Sequence, residues 1–194
     1  MDICLDNISV TLGGKQIIKN LSYCFKSGER YIIHGASGIG KTTLLKAMVG
    51  IAPLAGGKIL GLESKKIGMA FQEPRLIENI SVSANIKMVL NKERSSFSLE
   101  KELLSVGLDV LPSQIVSSLS GGMKQRIAVI RALIVNPDII VLDEALSGLD
   151  EESAKLTIKY IEEKTKNKIL IAVTHNVDFY KGLNPHIIDF KDML

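Results

Sequence analysis

No apolar run in this sequence is long enough to cross a bilayer. The most apolar helical stretch, Ile127 to Val135, is interrupted by Arg131 and falls well short of the roughly 20 residues that a spanning helix needs. The opening residues, Met1-Asp2-Ile3-Cys4-Leu5, carry neither the basic segment nor the apolar stretch of a secretory signal. Any membrane association is therefore expected to go through a partner. Proline is scarce, at 5 of 194 residues, which excludes a collagen-like or disordered chain. The two cysteines, Cys4 and Cys24, stand apart and form no CxxC pattern, so they are expected to be reduced thiols in a reducing compartment. His34, His175 and His186 have no metal-ligand spacing and the cysteines are remote from them, so a structural metal site is not expected. Charge of one sign is missing too. The 24 basic and 21 acidic side chains are mixed along the chain and form no basic tail, so nothing in the balance points to nucleic acid or a lipid surface.

What remains is the composition of a folded protein, 46% apolar and 23% charged. The 194 residues suit one domain spanning 1–194, with no repeat, linker or low-complexity tract to divide it. Short strands are expected at Ile3 to Leu12, Ile17 to Phe25 and Arg30 to Ile33, separated by a Gly13-Gly14 turn and a Ser27-Gly28-Glu29 turn. Thr42 to Val49 switches to helical spacing and is closed by Gly50 and Pro53. Ile59-Leu60 and Ile67 to Phe71 read as further strands. From Glu73 to Ser118 the pattern is helix and loop, with helical segments near Val82 to Leu90 and Leu99 to Val106, and it reads as a helical insert. Alternation then resumes with helix Met123 to Val135, strand Ile139 to Leu142, helix Glu151 to Lys164, strand Ile169 to Val173 and a last strand at His186 to Phe190. The fold class is α/β, with an N-terminal antiparallel β part and an inserted helical part.

Gly35-Ala36-Ser37-Gly38-Ile39-Gly40-Lys41-Thr42, followed by Thr43, satisfies the phosphate-loop pattern and lies between an expected strand and helix. Its glycines let the backbone curl so that amides point at phosphate oxygens, and the helix start adds free N–H groups and a positive dipole end. Lys41 can then reach the β- and γ-phosphates, and the Thr42 hydroxyl can ligate magnesium. Ile139 to Glu144 is an apolar run ending in two acids, which alone is equally well explained as a buried strand emerging into a loop. Beside a phosphate loop it gains meaning, because parallel sheets place their sites outside the carboxyl ends of their strands. Asp143 would then hold the metal, and Glu144 would activate water as general base. Gln72, after strand Ile67 to Phe71, is either an ordinary loop residue or a contact to magnesium or water. His175, after strand Ile169 to Val173, could hydrogen-bond a γ-phosphate or the attacking water. In Leu119-Ser120-Gly121-Gly122-Met123-Lys124-Gln125-Arg126, Ser120 reads as a helix N-cap. The two glycines at a helix start lower helix propensity, which makes better sense if their amides approach an anion.

Taken together, these strings resemble the ATP-binding subunits of the ABC transporter superfamily. The resemblance rests on the Gly35 to Thr43 loop, Gln72, Leu119 to Gln125, Ile139 to Glu144, Ser147-Gly148-Leu149-Asp150 and His175, in the family's order, and runs from Leu5 to about residue 190. It implies ATP and Mg2+ as ligands, hydrolysis as the reaction, and a head-to-tail pairing with a second copy or a related subunit. In that pairing Ser120, Gly121 and Gly122 contact the γ-phosphate held by the opposite phosphate loop, and Asp150 helps couple the two sites. It further implies an integral membrane permease docking on the segment between Gln72 and Ser120, and a location on the cytoplasmic face of the membrane, peripheral and without insertion.

Some positions depart from the family's pattern. Leu12 stands where an adenine-stacking aromatic is usual, so it can offer apolar surface to a base but no π-face. Ala145 replaces the usual proline. Met123, with Phe71-Gln72-Glu73-Pro74-Arg75-Leu76, is similar to importers of nitrate, taurine and related small solutes. The alternative is a cytosolic ATPase of the same superfamily acting on nucleic acid or ribosomes. It fits less well, because the long coiled coil or second nucleotide domain that such members carry is missing. A GTPase or small-molecule kinase would leave Leu119 to Gln125 without a role, and no Asn-Lys-x-Asp string is present.

Overall fold

The computed structural model describes residues 2–90 and 98–194, so the part of the expected helical insert at 91–97 lies outside the described residues. The chain begins with β1 (Ile3–Leu12), β2 (Lys15–Phe25), β3 (Arg30–His34), α1 (Lys41–Met48), β4 (Gly56–Leu60) and β5 (Ile67–Ala70). It continues through α2 (Val82–Lys87), α3 (Leu99–Ser105), α4 (Gly121–Leu133), β6 (Ile139–Asp143), α5 (Glu151–Lys164), β7 (Ile169–Val173) and β8 (His186–Asp189). Strands β2, β1 and β4 form an antiparallel sheet, and β5, β6, β7, β3 and β8 lie side by side in that order as a parallel sheet. The architecture is the expected α/β class, with an N-terminal β part and inserted helices.

The parallel sheet is the middle layer, and its central strands β6, β7 and β3 are buried on both faces, which is why they read as apolar runs without alternation. Ile139 and Val141 of β6, with Ile169 and Ile171 of β7, pack toward α1 and the antiparallel sheet. Ile140 and Leu142, with Leu170 and Ala172, pack toward the helical layer of α2 to α5. Helix α4 lies so close to β5 that a Cβ on Gly68 would stand 2.1 Å from the Ala132 carbonyl oxygen, so only glycine fits there. That approach brings α4 over the segment leaving β5, where Gln72 sits.

Among the described residues, four of the five α-helices begin with a side-chain cap, from Ser81, Ser98, Ser120 and Asp150. Helix α1 begins at Gly40 with none. Among the described residues no helix is long and apolar enough to cross a membrane.

The expectation of free thiols at Cys4 and Cys24 is overturned. The two residues face each other across β1 and β2 and form a disulfide. The pairing depends on register. Carried down from the turn, where Leu12 faces Lys15, an unbroken ladder would set Cys4 against Tyr23. Irregularities between Leu5 and Thr11 shift it by one residue, and Asn7 and Asn20 take the left-handed backbone these require, with φ of 49° and 50°.

Candidate functional site

A cleft of about 510 Å³ opens at the carboxyl ends of the parallel strands. One wall is the loop between β3 and α1, represented by Ser37, Gly38, Gly40, Lys41, Thr42 and Thr43. Gly40 is held at φ 117°, and a Cβ there would stand 3.0 Å from Ile17 Cγ2, so both conformation and space call for glycine. Because Gly40 supplies no side-chain cap, the first amides of α1 remain free to meet an anion. Lys41 is buried beside them, with Nζ donating to the carbonyl oxygens of Gly35 and Ala36 at 2.8 Å each. Gly35, Ala36 and Ile39 complete the loop behind this lining.

The facing wall comes from β6 and β7, whose parallel register pairs Asp143 with Val173. That register places Glu144 beside His175. The Glu144 amide donates to Val173 O at 2.9 Å, and the His175 amide donates to Glu144 Oε2 at 3.4 Å. His175 Nε2 lies 3.5 Å from Glu144 Oε1, near but without hydrogen-bond geometry, and Oε1 is buried with no partner. Glu144 also has φ of 50°, an uncommon conformation for a residue with a side chain. Its carboxyl is raised above its ordinary value by burial first, and the His175 amide and ring oppose that rise. A buried carboxylate with one oxygen unengaged is fit to accept a proton from water.

Asp143 is almost fully buried, and the Thr42 hydroxyl donates to its Oδ1 at 3.0 Å. Burial raises the Asp143 carboxyl, with the Thr42 hydrogen bond, Lys46 and Lys41 opposing. A hydroxyl and a desolvated carboxylate in contact are hard oxygen donors short of positive charge, a set that fits magnesium with few protein ligands. Gln72 also lines the cleft.

Leu12 does not line the cleft. It sits at the end of β1 opposite Lys15, and Ile17 from the next strand is the apolar side chain on that wall. Ser120, Gly121, Gly122 and Asp150 lie outside the cleft lining as well. Ser120 Oγ accepts from the Met123 amide at 3.3 Å, and Asp150 Oδ1 accepts from the Ser153 amide at 2.8 Å, so both serve as helix caps. Hydrogen bonding to Ser153 holds the Asp150 carboxyl below its ordinary value. Arg126 reinforces the start of α4 by donating to the carbonyls of Gly122, Val106 and Gly107.

Two contacts were not foreseen. Gln125 Nε2 donates to Phe71 O at 3.0 Å, and Arg131 donates to Pro74 O at 3.0 Å and to Arg75 O at 2.9 Å. Helix α4 thus clamps the segment around Gln72 from both sides. In the sequence these are polar residues on a helix, with no signal to separate them from a solvated face.

The family model for ABC transporters matches residues 18–147. The phosphonates import ATP-binding protein PhnC of Fusobacterium nucleatum is 31% identical over 96% of this chain and 87% of its own length. The arginine transport ATP-binding protein ArtM of Bacillus subtilis is 31% identical over 96% of this chain and 86% of its own. The Fe(3+) ions import ATP-binding protein FbpC of Fusobacterium nucleatum is 30% identical over 99% of this chain, which spans 56% of that longer protein. In fold, the chain is similar to the ATP-binding cassette MJ0796 in a dimeric, post-hydrolysis state bound to ADP and Pi, with a TM-score of 0.81 at 25% identity over 92% of this chain and 90% of that one. The chain therefore belongs to the ATP-binding cassettes of the ABC transporter superfamily.

Proposed function

We propose that the chain binds ATP with Mg2+ and hydrolyses it as one half of a head-to-tail pair, and that hydrolysis drives import of a small solute through a separate membrane-spanning partner. The observation that carries this reading is the unengaged Glu144 oxygen beside His175, set across the cleft from Lys41 and Thr42. In this reading residues 1–194 act as one ATP-binding unit on the cytoplasmic face of the membrane, and residues 73–118 with α4 are its helical part.

The free amides of Gly35 to Thr43 hold the phosphates, and Lys41 exchanges the carbonyls of Gly35 and Ala36 for the β- and γ-phosphate oxygens. Thr42, Asp143 and Gln72 hold the metal, with Asp143 acting through water. Bound magnesium supplies positive charge against the phosphate oxygens. Glu144 takes a proton from the attacking water, and His175 bonds the γ-phosphate and keeps the Glu144 carboxylate in place. Ile17 and Leu12 offer the base apolar surface without an aromatic face. Ser120, Gly121 and Gly122 present amides and a hydroxyl to the γ-phosphate held by the other copy, and Asp150 couples the two halves. The clamp from Gln125 and Arg131 carries the position of Gln72 to that same helix.

In Glu144→Gln, turnover measured by phosphate release is expected to fall by about 1,000-fold, while equilibrium binding of ATP persists. Near-normal turnover would overturn the role given to Glu144. At saturating ATP the same variant should elute as a dimer in size-exclusion chromatography, and a strictly monomeric species would overturn the shared site.

A further inference from the structure

Helix α3 is closed at its carboxyl end by its own backbone. Gly107 takes φ of 69°, its amide donates to Leu104 O at 2.9 Å, and the Leu108 amide returns to Leu103 O at 2.9 Å, the paired bonds of a glycine stop. Yet Arg126, in the second turn of α4, is buried against this end and donates Nη1 to Val106 O at 3.0 Å and to Gly107 O at 2.9 Å. Its Nε reaches back to Gly122 O at 3.3 Å. Among the described residues its hydrogen-bond partners are all carbonyls, so a cation is desolvated where no helix needs ending. Burial lowers the guanidinium from its ordinary value, and the Asp150 charge opposes that. Gly122 is enclosed from the other side as well. A Cβ there would stand 3.3 Å from Leu149 Cδ2 and 3.8 Å from Gly148 O, so the start of α4 lies directly against the turn that leads into Asp150. Leu156 of α5 closes on the same place, since a Cβ on Gly107 would stand 2.7 Å from its Cδ1.

We propose that Arg126 is a positioning residue for the contact across the pair: its guanidinium fork fixes Gly122 and the end of α3 in one frame, so that the Ser120 to Gly122 start and the Asp150 turn reach the opposite γ-phosphate together. The proposal rests on the reading of Ser120 to Gly122 as the half of the site offered to another copy. Arginine is suited to the task. Its planar fork donates in two directions in one fixed geometry, from Nε to α4 and from Nη1 to α3, which neither an ammonium nor an apolar side chain does. Arg126 does not line the cleft, so it acts only through the groups it holds. Amides that meet an anion on a partner bind it better the more rigidly they are held beforehand.

The test is ATP-dependent pairing of the full chain in a Glu144→Gln background, read by analytical ultracentrifugation. Arg126→Met should raise the dissociation constant of the pair at saturating ATP by about tenfold, the scale of one hydrogen bond to a charged group. The Kd for ATP, measured at concentrations where the chain is monomeric, should not change. Arg126→Lys keeps the charge without the fork and should pair nearly as weakly. Three carbonyls lose a donor in Arg126→Met, so its thermal midpoint should fall; should it fail to fold, Arg126→Lys carries the test alone. Phe25→Leu, a buried change in the other core cluster, supplies a destabilised chain that should pair normally. Unchanged pairing in Arg126→Met, full pairing in Arg126→Lys, a matching loss of ATP affinity in the monomer, or equally weak pairing in Phe25→Leu would each overturn the proposal. If Glu144→Gln alone does not pair at saturating ATP, the shared site fails first and the Arg126 proposal with it. If it pairs and both Arg126 variants pair as well, Arg126 alone is refuted.

Discussion

Two helix starts in this molecule are flanked by glycines, and they are built in opposite ways. Helix α1 begins without a side-chain cap, inside a cleft, beside a buried lysine and two carboxyls that burial pushes up. Helix α4 begins with Ser120 as its cap, at the surface, with a Cβ on Gly121 meeting nothing within 4 Å. At α1 the chain leaves amides and a carboxylate oxygen unengaged, a condition that a bound anion and cation relieve. At α4 the helix is complete on its own and Gly121 faces open space, while a Cβ on Gly122 would stand 3.3 Å from Leu149 Cδ2. The first end is predisposed to take a ligand alone. In the proposed pairing, the second would meet a ligand only when another molecule brings one.

Gly121→Asp should separate these roles with the largest effect. An acid in the first turn of a helix favours its dipole by about 0.3–1 kcal/mol, and the position has room, so the isolated chain should be as stable as before or slightly more so. ATP binding to the isolated chain should be unchanged. Turnover should fall by about 100-fold, the scale of losing a charge-stabilising contact, because the carboxylate would face the γ-phosphate across the pair. Full turnover in Gly121→Asp would show that α4 never meets the phosphate.

A smaller effect tests the α1 side. Asp143 has its carboxyl raised in the folded chain above the ordinary value of 3.8, so between the unfolded and folded values the folded state holds more protons. Stability falls as pH rises through that window. Asp143→Asn should therefore raise the thermal midpoint of the ligand-free chain at neutral pH, and the gain should vanish below pH 3.8, where the carboxyl is protonated in both states. The same variant should lose the stabilisation that Mg2+ with ATP gives the wild type. If the ligand-free midpoint falls at neutral pH, Asp143 is a satisfied structural acid.

Much of this was legible in the sequence because it is local. The loop from Gly35 to Thr43 folds on itself, and the runs Ile139 to Leu142 and Ile169 to Val173 state their two-sided burial by lacking alternation. The contact of Glu144 with His175 was half legible. Each residue follows a strand, but only the register of Asp143 against Val173 brings them together. The bonds of Gln125 and Arg131 to the segment after β5 were not legible, because they depend on how closely α4 approaches Gly68. Tyr180 reads in the sequence as one more core aromatic, and its distinction is a hydroxyl that the fold leaves without a partner. Leu12 was singled out by alignment with a motif, yet the hairpin turns Ile17 to the cleft instead.

The smallest effect on turnover is expected from the disulfide. Cys4 and Cys24 lie toward the end of the hairpin away from Ile17, so replacing both with serine should leave turnover within about twofold, as for a site remote from the chemistry. Stability is a separate matter. Closing a loop of 20 residues restricts the unfolded chain by about 3 kcal/mol in the chain-entropy account, whether or not β1 and β2 pair well. Denaturant unfolding of the double variant should show that loss under oxidising conditions and none relative to the reduced wild type. A large fall in turnover would mean that the antiparallel sheet does more than carry Ile17 to the cleft, and the contrast between α1 and α4 would then have to include the β1–β2 hairpin as part of the ligand-ready end.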